Sequence, residues 1–492
     1  MTPQSLAMVV GKKDKVGAMV AARDFTSLTG DSRKVTPGGL FAALAGSRAH
    51  GARYVADAVA RGAAAVLGPP ELAAEVAALG AIFIPDENPR LALARLAAEF
   101  YAAQPKTVAA VTGTKGKSST VAFLREIWTA LGRPAASLGT VGVVGPNGAT
   151  PLPLTTPDPV EIARLLAELK AGGVDHLAIE ASSHGLDQYR LDGVKIAAAG
   201  FTNITRDHMD YHPTFDAYLA AKLRLFSEVV DENGVAVVNA DAAHADRFVS
   251  AARARGLRLL TVGAAGETIR LMARESRGDA QALSIRHAGQ IYDVPLPLAG
   301  AFQASNALVA AGFAIGLGSP ADKVFAALAG LKGAPGRMQK VAFAASGAPV
   351  YVDYAHTPDS LEKVLQALRP HTAGRLVVVF GCGGDRDRGK RPLMGQIATA
   401  LADGVIVTDD NPRSEDPALI RRDILAAAKG AREIGDRREA IRTAIAELSA
   451  GDVLVIAGKG HETGQYVAGR VIPFSDTGEA VAAAIAAGGR AA

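Results

Sequence analysis

Short runs of Val, Ile, Leu and Ala alternate along the chain with longer segments in which apolar residues recur at helical spacing. Runs at 108–111, 197–201 and 375–380 are examples of the predicted strands. Strands that alternate with helices are typical of an α/β fold with parallel sheets. A chain of 492 residues exceeds the size at which one hydrophobic core stops growing, so several domains are expected.

The alternating pattern divides into three regions, and we predict domains at 1–103, 104–334 and 335–492. Pro105 supports the first boundary, because helices tend to end before proline. In the first region Asp31, Ser32 and Arg33 stand beside a turn, and from position alone a solvated cap is favoured.

A glycine-containing loop joins the strand at 108–111 to a segment of helical spacing after Thr120. Glycines let a backbone approach an anion, and N–H groups at a helix N-terminus point towards it. Val111 occupies the place of the usual first glycine, and an ordinary turn is the alternative. We favour a phosphate-binding loop made of Gly113, Thr114, Lys115, Gly116, Lys117, Ser118 and Ser119.

Two further strands of the second region end in polar segments. The strand at 174–180 ends on Glu180, and the strand at 197–201 leads to Asp207, His208, Asp210 and His212. Ligands of open α/β sheets bind beyond the carboxyl ends of the strands. Polar turns and a zinc site are the alternatives, and we favour Mg²⁺ because hard carboxylates share the region with a phosphate loop.

A predicted helix at 218–226 carries Tyr218, Lys222 and Phe226 on one face. A lysine on such a face usually extends its ammonium to solvent, and the pattern alone favours that interpretation.

Four strands of the third region, at 350–353, 375–380, 405–410 and 452–458, each lead into a charged or glycine-rich loop. These loops should meet at one edge of a parallel sheet. Several converging loops predict a pocket for a small charged molecule.

Composition narrows the class of protein. A net charge of +4 is too small and too dispersed to indicate a nucleic-acid-binding protein. The single cysteine, Cys382, excludes an internal disulfide and a cysteine-based zinc site. The pattern shows neither a leader nor an apolar run of membrane-spanning length, so we expect a cytoplasmic protein without membrane insertion.

From Asp31-Ser32-Arg33 to the Gly458–Glu462 motif (GKGHE), the chain resembles the Mur ligases, ATP-dependent amide-bond-forming enzymes of peptidoglycan precursor synthesis. The resemblance implies an N-terminal UDP-binding domain, a central P-loop ATPase domain and a Rossmann-like C-terminal domain that closes over an amino acid. It also implies a monomer that uses ATP and Mg²⁺.

The resemblance assigns roles to individual residues. UDP-N-acetylmuramoyl-L-alanyl-D-glutamate would be bound by Ser32, Ser47, Arg48, Ala49, Thr155, Thr156, Ser182, Gln188 and Arg190. ATP would be bound by the phosphate loop with Asn306, Arg337, Asp353 and His356. The metal would be held by Ser118, Glu180, His208 and Lys222, the last as N6-carboxylysine, and the catalytic residues would be Lys117, Lys222 and His208. The amino acid would be bound by Arg386, Asp410, Asn411, Pro412, Arg413, Gly458 and Glu462.

The loop from Asp410 to Arg413 (DNPR) indicates which amino acid is added. In the family this loop accompanies meso-diaminopimelate, whose second carboxylate suits the guanidinium of Arg413. The implied reaction phosphorylates the D-glutamyl carboxylate, and the diaminopimelate amine then attacks the acyl phosphate. Lys115 and Gln303 depart from the family pattern, where asparagines are usual.

Three alternatives remain open at this point. An L-lysine-adding relative is disfavoured by Arg413. A folylpolyglutamate synthetase should lack the N-terminal region and the DNPR loop. A nucleotide-binding switch without ligase chemistry would give no role to the Lys222 helix or the charged C-terminal loops.

Overall fold

The computed structural model describes residues 25–46 and 50–492, which form two compact units. The first unit comprises the described residues up to 114 together with 132–238 and 243–259, and the second comprises 115–131, 239–242 and 260–492. Ser47, Arg48 and Ala49 of the predicted uridine site lie outside the described residues. A compact unit can hold more than one domain, so the domain bounds at 103 and 334 stay predictions.

The chain alternates strands and helices throughout, as the pattern predicts. The strands are β1 Leu28–Thr29, β2 Leu40–Ala42, β3 Ala65–Gly68, β4 Ile82–Pro85, β5 Thr107–Thr112, β6 Ala135–Gly139, β7 Gly142–Gly145, β8 Gly148–Thr150, β9 His176–Glu180, β10 Ile196–Phe201, β11 Val230–Asn239, β12 Arg258–Gly263, β13 Ile269–Arg277, β14 Ala280–His287, β15 Gln290–Leu296, β16 Gln339–Phe343, β17 Pro349–Asp353, β18 Leu376–Phe380, β19 Gly404–Val407, β20 Arg432–Glu433, β21 Val453–Ala457, β22 Gly464–Val467, β23 Arg470–Pro473 and β24 Arg490–Ala491. The α-helices are α1 Val55–Ala60, α2 Ala73–Ala78, α3 Pro89–Tyr101, α4 Lys117–Ala130, α5 Pro159–Ala171, α6 Ser183–Asp187, α7 Phe215–Arg224, α8 Ala245–Ala254, α9 Ala301–Gly316, α10 Ala321–Leu328, α11 Pro358–Leu368, α12 Lys390–Leu401, α13 Pro417–Leu425, α14 Arg437–Ala446 and α15 Asp476–Ala486.

The first unit contains two sheets. Strands β1 to β4 pair in parallel in chain order. In the other sheet β11, β10, β5, β9 and β6 pair in parallel in that spatial order, and β7 and β8 continue it in antiparallel fashion. The carboxyl ends of β5, β9 and β10 therefore lie side by side, and the phosphate loop, Glu180 and the 202–212 segment all begin at this edge.

The second unit contains a parallel sheet in the order β20, β19, β18, β21, β17, with antiparallel β16 and β24 continuing it. Strand β18 is buried along its whole length, with Val378 in one apolar cluster and Val379 in another. A strand covered on both faces reads as a continuous apolar run, which is why this strand was predictable. The loops after β17, β18, β19 and β21 meet at one edge, so the predicted convergence is confirmed.

Two expectations need correction. The predicted strand at 405–410 ends at Val407, so Asp409 and Asp410 lie in the following loop. Lys222 does not extend to solvent: it is buried with Tyr218 and Phe226, and its residue is 1% exposed. Among the described residues, no helix is both long enough and apolar enough to cross a membrane.

Candidate active site

Two glycines of the phosphate loop are required by close contacts. Gly113 has φ 152°, and a Cβ there would lie 2.0 Å from Thr202 Oγ1 within the first unit. Gly116 has φ 87°, and its Cβ would lie 2.3 Å from Asn306 Oδ1 within the second unit. Any side chain at either position would displace these neighbours, so both positions require glycine.

Helix α4 begins directly after Gly116, and no side chain caps its N-terminus. The first N–H groups of a helix have no partner within the helix, so this end can bind a phosphate. Lys117, Ser118 and Ser119 form its first turn, where Ser118 and Ser119 are buried. The placement suits the predicted roles of Lys117 with phosphate and of Ser118 with a metal.

Lys222 lies beside the loop within the first unit. Its Nζ donates a hydrogen bond to the carbonyl of Gly113 at 2.8 Å and lies 4.5 Å from the centre of the Tyr218 ring. The Tyr218 hydroxyl is 2.9 Å from Thr114 Oγ1. Helix α7 therefore positions a buried amine directly at the end of β5.

The surroundings of Glu180 suit a metal ligand. Its residue is 1% exposed, and its carboxylate accepts hydrogen bonds from the Thr140 N–H at 2.8 Å and the Thr140 hydroxyl at 3.2 Å. Among the described side chains it has no ion-pair partner within 4 Å. Buried carboxylates are usually paired or bound to a metal, so this one suits a hard cation such as Mg²⁺.

His208 is half-exposed, with φ 55°, and its ring centre lies 5.1 Å from that of His184. Burial and the neighbouring His208 and His212 lower the pKa of His184 to about 4. Among the described residues, no group of three His, Cys, Asp or Glu side chains could hold a metal by itself. The predicted metal set contains only two such residues, so it stays a prediction.

The residues predicted to hold the muramoyl dipeptide form one hydrogen-bonded network. Thr156 Oγ1 donates to the Glu180 carbonyl at 2.8 Å and accepts from the Ser182 N–H at 3.1 Å. Arg190 donates to the Thr156 carbonyl at 2.5 Å and to Gln188 Oε1 at 2.8 Å.

Two more members of the predicted dipeptide and uridine sites can be placed. Thr155 Oγ1 lies 3.0 Å from Thr140 Oγ1, which links it to Glu180. Ser32 is buried, and its hydroxyl, beside the Asp57 carboxylate, lowers the pKa of that carboxyl. The expected cap is present as well, since Asp31 accepts from the Arg33 N–H at 3.1 Å.

The predicted ATP residues of the second unit lie on two connected segments. Asn306 on α9 is buried, with Nδ2 3.4 Å from Gln303 Oε1, and Gln303 Nε2 is 3.4 Å from the Arg337 carbonyl. Lys115 pairs with Asp359 at the start of α11. Both residues that depart from the family pattern, Lys115 and Gln303, thus have defined partners.

Asp353 ends β17 and accepts the Met338 N–H at 2.7 Å. Burial raises its pKa, against the opposing effect of the Arg337 guanidinium. His356 Nδ1 lies 2.8 Å from the Tyr354 carbonyl, and burial lowers the pKa of this imidazole. The Arg337 guanidinium lies 4.8 Å from the Tyr354 ring centre.

The predicted amino-acid site is built from the loops after β19 and β21. Asn411 Nδ2 donates to Glu462 Oε2 at 2.9 Å. A Cβ at Gly458, which has φ 118°, would lie 2.6 Å from Asp410 Oδ2. Lys459 joins these groups and is fully buried.

Arg413 has φ 53° and donates from Nη1 to the Gly384 carbonyl at 2.8 Å and towards the Asn411 carbonyl at 3.4 Å. Pro412 precedes Arg413. The backbone of Arg413 forms a parallel bridge with Val467 of the β22–β23 hairpin. Arg386 is exposed and bonds the carbonyl of Asp385 at 3.0 Å. The structure therefore groups Asn411, Arg413 and Glu462, whereas no contact of Arg386 joins it to them among the described residues.

The sequence interpretation missed Thr140 and Lys459. Thr140 directly follows β6, and its contact with Glu180 depends on the pairing of β6 with β9, which the sequence pattern does not show. Lys459 stands between two residues that were named, Gly458 and Glu462, but a lysine in a glycine loop gives no sign that it will be buried.

Comparison with known proteins shows that three successive parts of the chain match models of one protein family. Family models described as the Mur ligase family catalytic domain, the Mur ligase middle domain and the Mur ligase glutamate ligase domain match residues 24–101, 111–314 and 336–460. UDP-N-acetylmuramoyl-L-alanyl-D-glutamate–2,6-diaminopimelate ligase of Bradyrhizobium diazoefficiens is 57% identical over 97% of this chain and 98% of its own length. The ligase of the same name from Caulobacter vibrioides is 54% identical over 93% and 94%.

Solved structures of two ligases resemble this chain. A structure of UDP-N-acetylmuramoyl-L-alanyl-D-glutamate–2,6-diaminopimelate ligase is 34% identical and covers 98% of both chains with a TM-score of 0.74. A Mycobacterium tuberculosis folylpolyglutamate synthase complexed with ADP and AMPPCP is 20% identical, covers 75% of this chain and 92% of that one, and has a TM-score of 0.59, which shows a shared fold. The chain is a ligase that belongs to the Mur ligase family.

Proposed function

We propose that this chain catalyses the ATP-dependent addition of meso-diaminopimelate to UDP-N-acetylmuramoyl-L-alanyl-D-glutamate. The observation that carries the proposal is the grouping of Arg413, Asn411 and Glu462 at one edge of the C-terminal sheet, which offers a guanidinium and a carboxylate together. Such a pair suits an amino acid that carries both carboxylates and ammonium groups. Relatives more than 50% identical bear the name of this reaction.

The first step transfers a phosphoryl group. The free D-glutamyl carboxylate attacks the γ-phosphorus of ATP, the bond between the β-γ bridging oxygen and the γ-phosphorus breaks, and ADP leaves. Lys117 and the N–H groups of α4 neutralise charge on the phosphates. In the first unit, Glu180 and His208 would hold Mg²⁺, which would neutralise phosphate charge, and a carbamate on Lys222 would supply it with an anionic oxygen ligand.

The second step forms the amide. The diaminopimelate amine attacks the acyl carbon as a free base, the carbon–oxygen bond to phosphate breaks, and inorganic phosphate leaves with the proton that the amine nitrogen loses. Asn411, Glu462 and Arg413 bind the amino acid and orient its amine, and positioning of this kind accounts for much of the rate of such reactions. The acyl phosphate must be protected from water, which the surrounding loops would do.

The proposal is tested by phosphate release from ATP and the UDP-muramoyl dipeptide, compared with meso-diaminopimelate, L-lysine or no amino acid. Release only with diaminopimelate is expected. Release with lysine would contradict the role of Arg413, and release with neither would contradict the proposed acceptor. Folylpolyglutamate synthetase substrates would then be tried.

Arg413→Asn provides the matched specificity variant. Loss of a charged hydrogen-bond partner costs roughly 1.5–3 kcal/mol, which corresponds to an increase of about 10- to 150-fold in the KM for diaminopimelate. The KM for ATP should stay unchanged.

The monomeric state and the cytoplasmic location also stay predictions, to be tested by light scattering and by cell fractionation.

A further inference from the structure

Lys459 is a fully buried lysine in the middle of the Gly458–Gly460 loop. Its Nζ lies 2.9 Å from Asn411 Oδ1, 3.1 Å from Glu462 Oε2 and 3.7 Å from Asp410 Oδ1. Lysines are almost never fully buried unless they are paired. These three oxygens account for the burial, and none of the steps described above gives this lysine a role.

The lysine fixes the orientation of the Asn411 amide. A lysine ammonium only donates hydrogen bonds, so it selects the oxygen end of the amide. The Tyr466 N–H donates to the same Oδ1 at 3.1 Å. The nitrogen end of the amide is thereby turned towards Glu462, where it donates to Oε2 at 2.9 Å.

The same contacts leave Glu462 with one oxygen for a ligand. Oε2 receives hydrogen bonds from both Lys459 and Asn411, whereas Oε1 has no hydrogen-bond partner among the described residues. The Glu462 side chain is 29% exposed. One positive charge on Lys459 and two negative charges, on Asp410 and Glu462, give a net charge of −1, which matches a single ammonium group.

We propose that Lys459 is a positioning residue for the amino-acid substrate. It holds Asn411 and Glu462 so that Glu462 Oε1 receives the distal ammonium of the diamino acid. This inference rests on the proposed function, which it deepens by assigning the oxygen that selects the ammonium.

The first experiment compares Lys459→Met with the wild type in the full-length chain. Losing the charged contacts should raise the KM for meso-diaminopimelate about 10- to 150-fold. The KM values for ATP and for the UDP-muramoyl dipeptide should change less than about twofold, since neither substrate is assigned to this loop. An equal rise in all three KM values would show a general structural role and overturn the proposal. Lys429→Met, which removes an exposed lysine, is the matched control and should behave as the wild type.

The second experiment asks whether Lys459 acts through Glu462. If it does, the loss of amino-acid binding caused by Lys459→Met should be much smaller in a Glu462→Gln background than in the wild type. Additive losses would overturn the proposal.

The third experiment covers the case in which Lys459→Met does not fold. Adding Asp410→Asn returns the net charge of the cluster to −1 and should restore folding. Because Asp410 belongs to the predicted amino-acid site, the double variant is compared with Asp410→Asn alone. Its KM for diaminopimelate should be the higher of the two, and an equal KM would show that Lys459 supplies charge rather than position and would overturn the proposal. A wild type that releases no phosphate with diaminopimelate would refute the proposed function itself. A responsive wild type with an unaffected lysine variant would refute only this inference.

Discussion

The ion pair between Arg437 and Asp476 allows a quantitative test of how the amino-acid loops are supported. Both side chains are fully buried, and Arg437 donates two hydrogen bonds of 2.7 Å to the carboxylate. It also donates to the carbonyls of Ala457 at 2.9 Å and Asp409 at 3.3 Å. Ala457 ends β21 and Asp409 follows β19, so this one guanidinium ties together the two strand ends that carry the proposed amino-acid site.

Arg437→Met removes all four hydrogen bonds and leaves Asp476 buried without its cation. Breaking a buried pair in this way costs about 3–5 kcal/mol. One factor of ten corresponds to about 1.4 kcal/mol, so amide hydrogen exchange in β21 should accelerate roughly 100- to 4,000-fold. Hydrogen exchange followed by mass spectrometry of peptides from residues 453–457 measures this change.

Arg438→Met is the matched control. Arg438 is the next residue of α14 and pairs at the surface with Glu479 of α15 at 2.9 Å, so it joins the same two helices. A surface pair contributes little, and exchange should change less than about threefold. Replacing Arg437 by Met and Asp476 by Leu together should recover most of the protection, because no charge then remains buried. Acceleration below about tenfold in Arg437→Met, or an equal effect of the control, would refute the reasoning.

Three other predictions concern the first unit. In Gly139→Ala the added Cβ would lie 2.1 Å from Glu180 Oε1, so displacement of the carboxylate should lower kcat about 100-fold, and a normal kcat would contradict the proposed metal role. Carbon-13 labelled bicarbonate should give a carbamate resonance that is absent in Lys222→Arg, and no such signal in the wild type would rule out the modification. Burial lowers the pKa of His184 from 6.5 to about 4, so the unfolded chain binds this proton more readily. The free energy of unfolding should therefore fall as the pH drops from about 6.5 to about 4, and an NMR titration midpoint near 6.5 would contradict this.

Much of the fold follows from the hydrophobic pattern, because parallel strands covered on both faces must be apolar throughout. Strands β5 and β18 were predicted for this reason, and the positions of Glu180 and Asn411 followed from the rule that ligands bind at carboxyl ends. The pattern also placed Tyr218, Lys222 and Phe226 on one helix face, and all three are buried.

The partners of the site residues were not predictable in the same way. Burial of Lys459 depends on Asn411 and Glu462, which are brought to it by two different loops. Thr140 holds Glu180 only because β6 pairs with β9. Contacts of this kind are set by strand order, which local periodicity does not encode. The roles of Arg190 and His356 came from the family resemblance and have no local signal either.

The conformation of Arg413 has a consequence for protein engineering. A residue other than glycine at φ 53° costs about 1–3 kcal/mol, and here two backbone hydrogen bonds offset it, from the Arg413 N–H to the Tyr466 carbonyl at 2.9 Å and from the Ala468 N–H to the Arg413 carbonyl at 2.7 Å. The hairpin at 464–473 supplies both. The DNPR segment therefore cannot be transferred by itself to a ligase of different amino-acid preference. Without the hairpin, Arg413 would relax to an ordinary backbone conformation and its guanidinium would point elsewhere. A graft that includes the hairpin would keep both backbone hydrogen bonds.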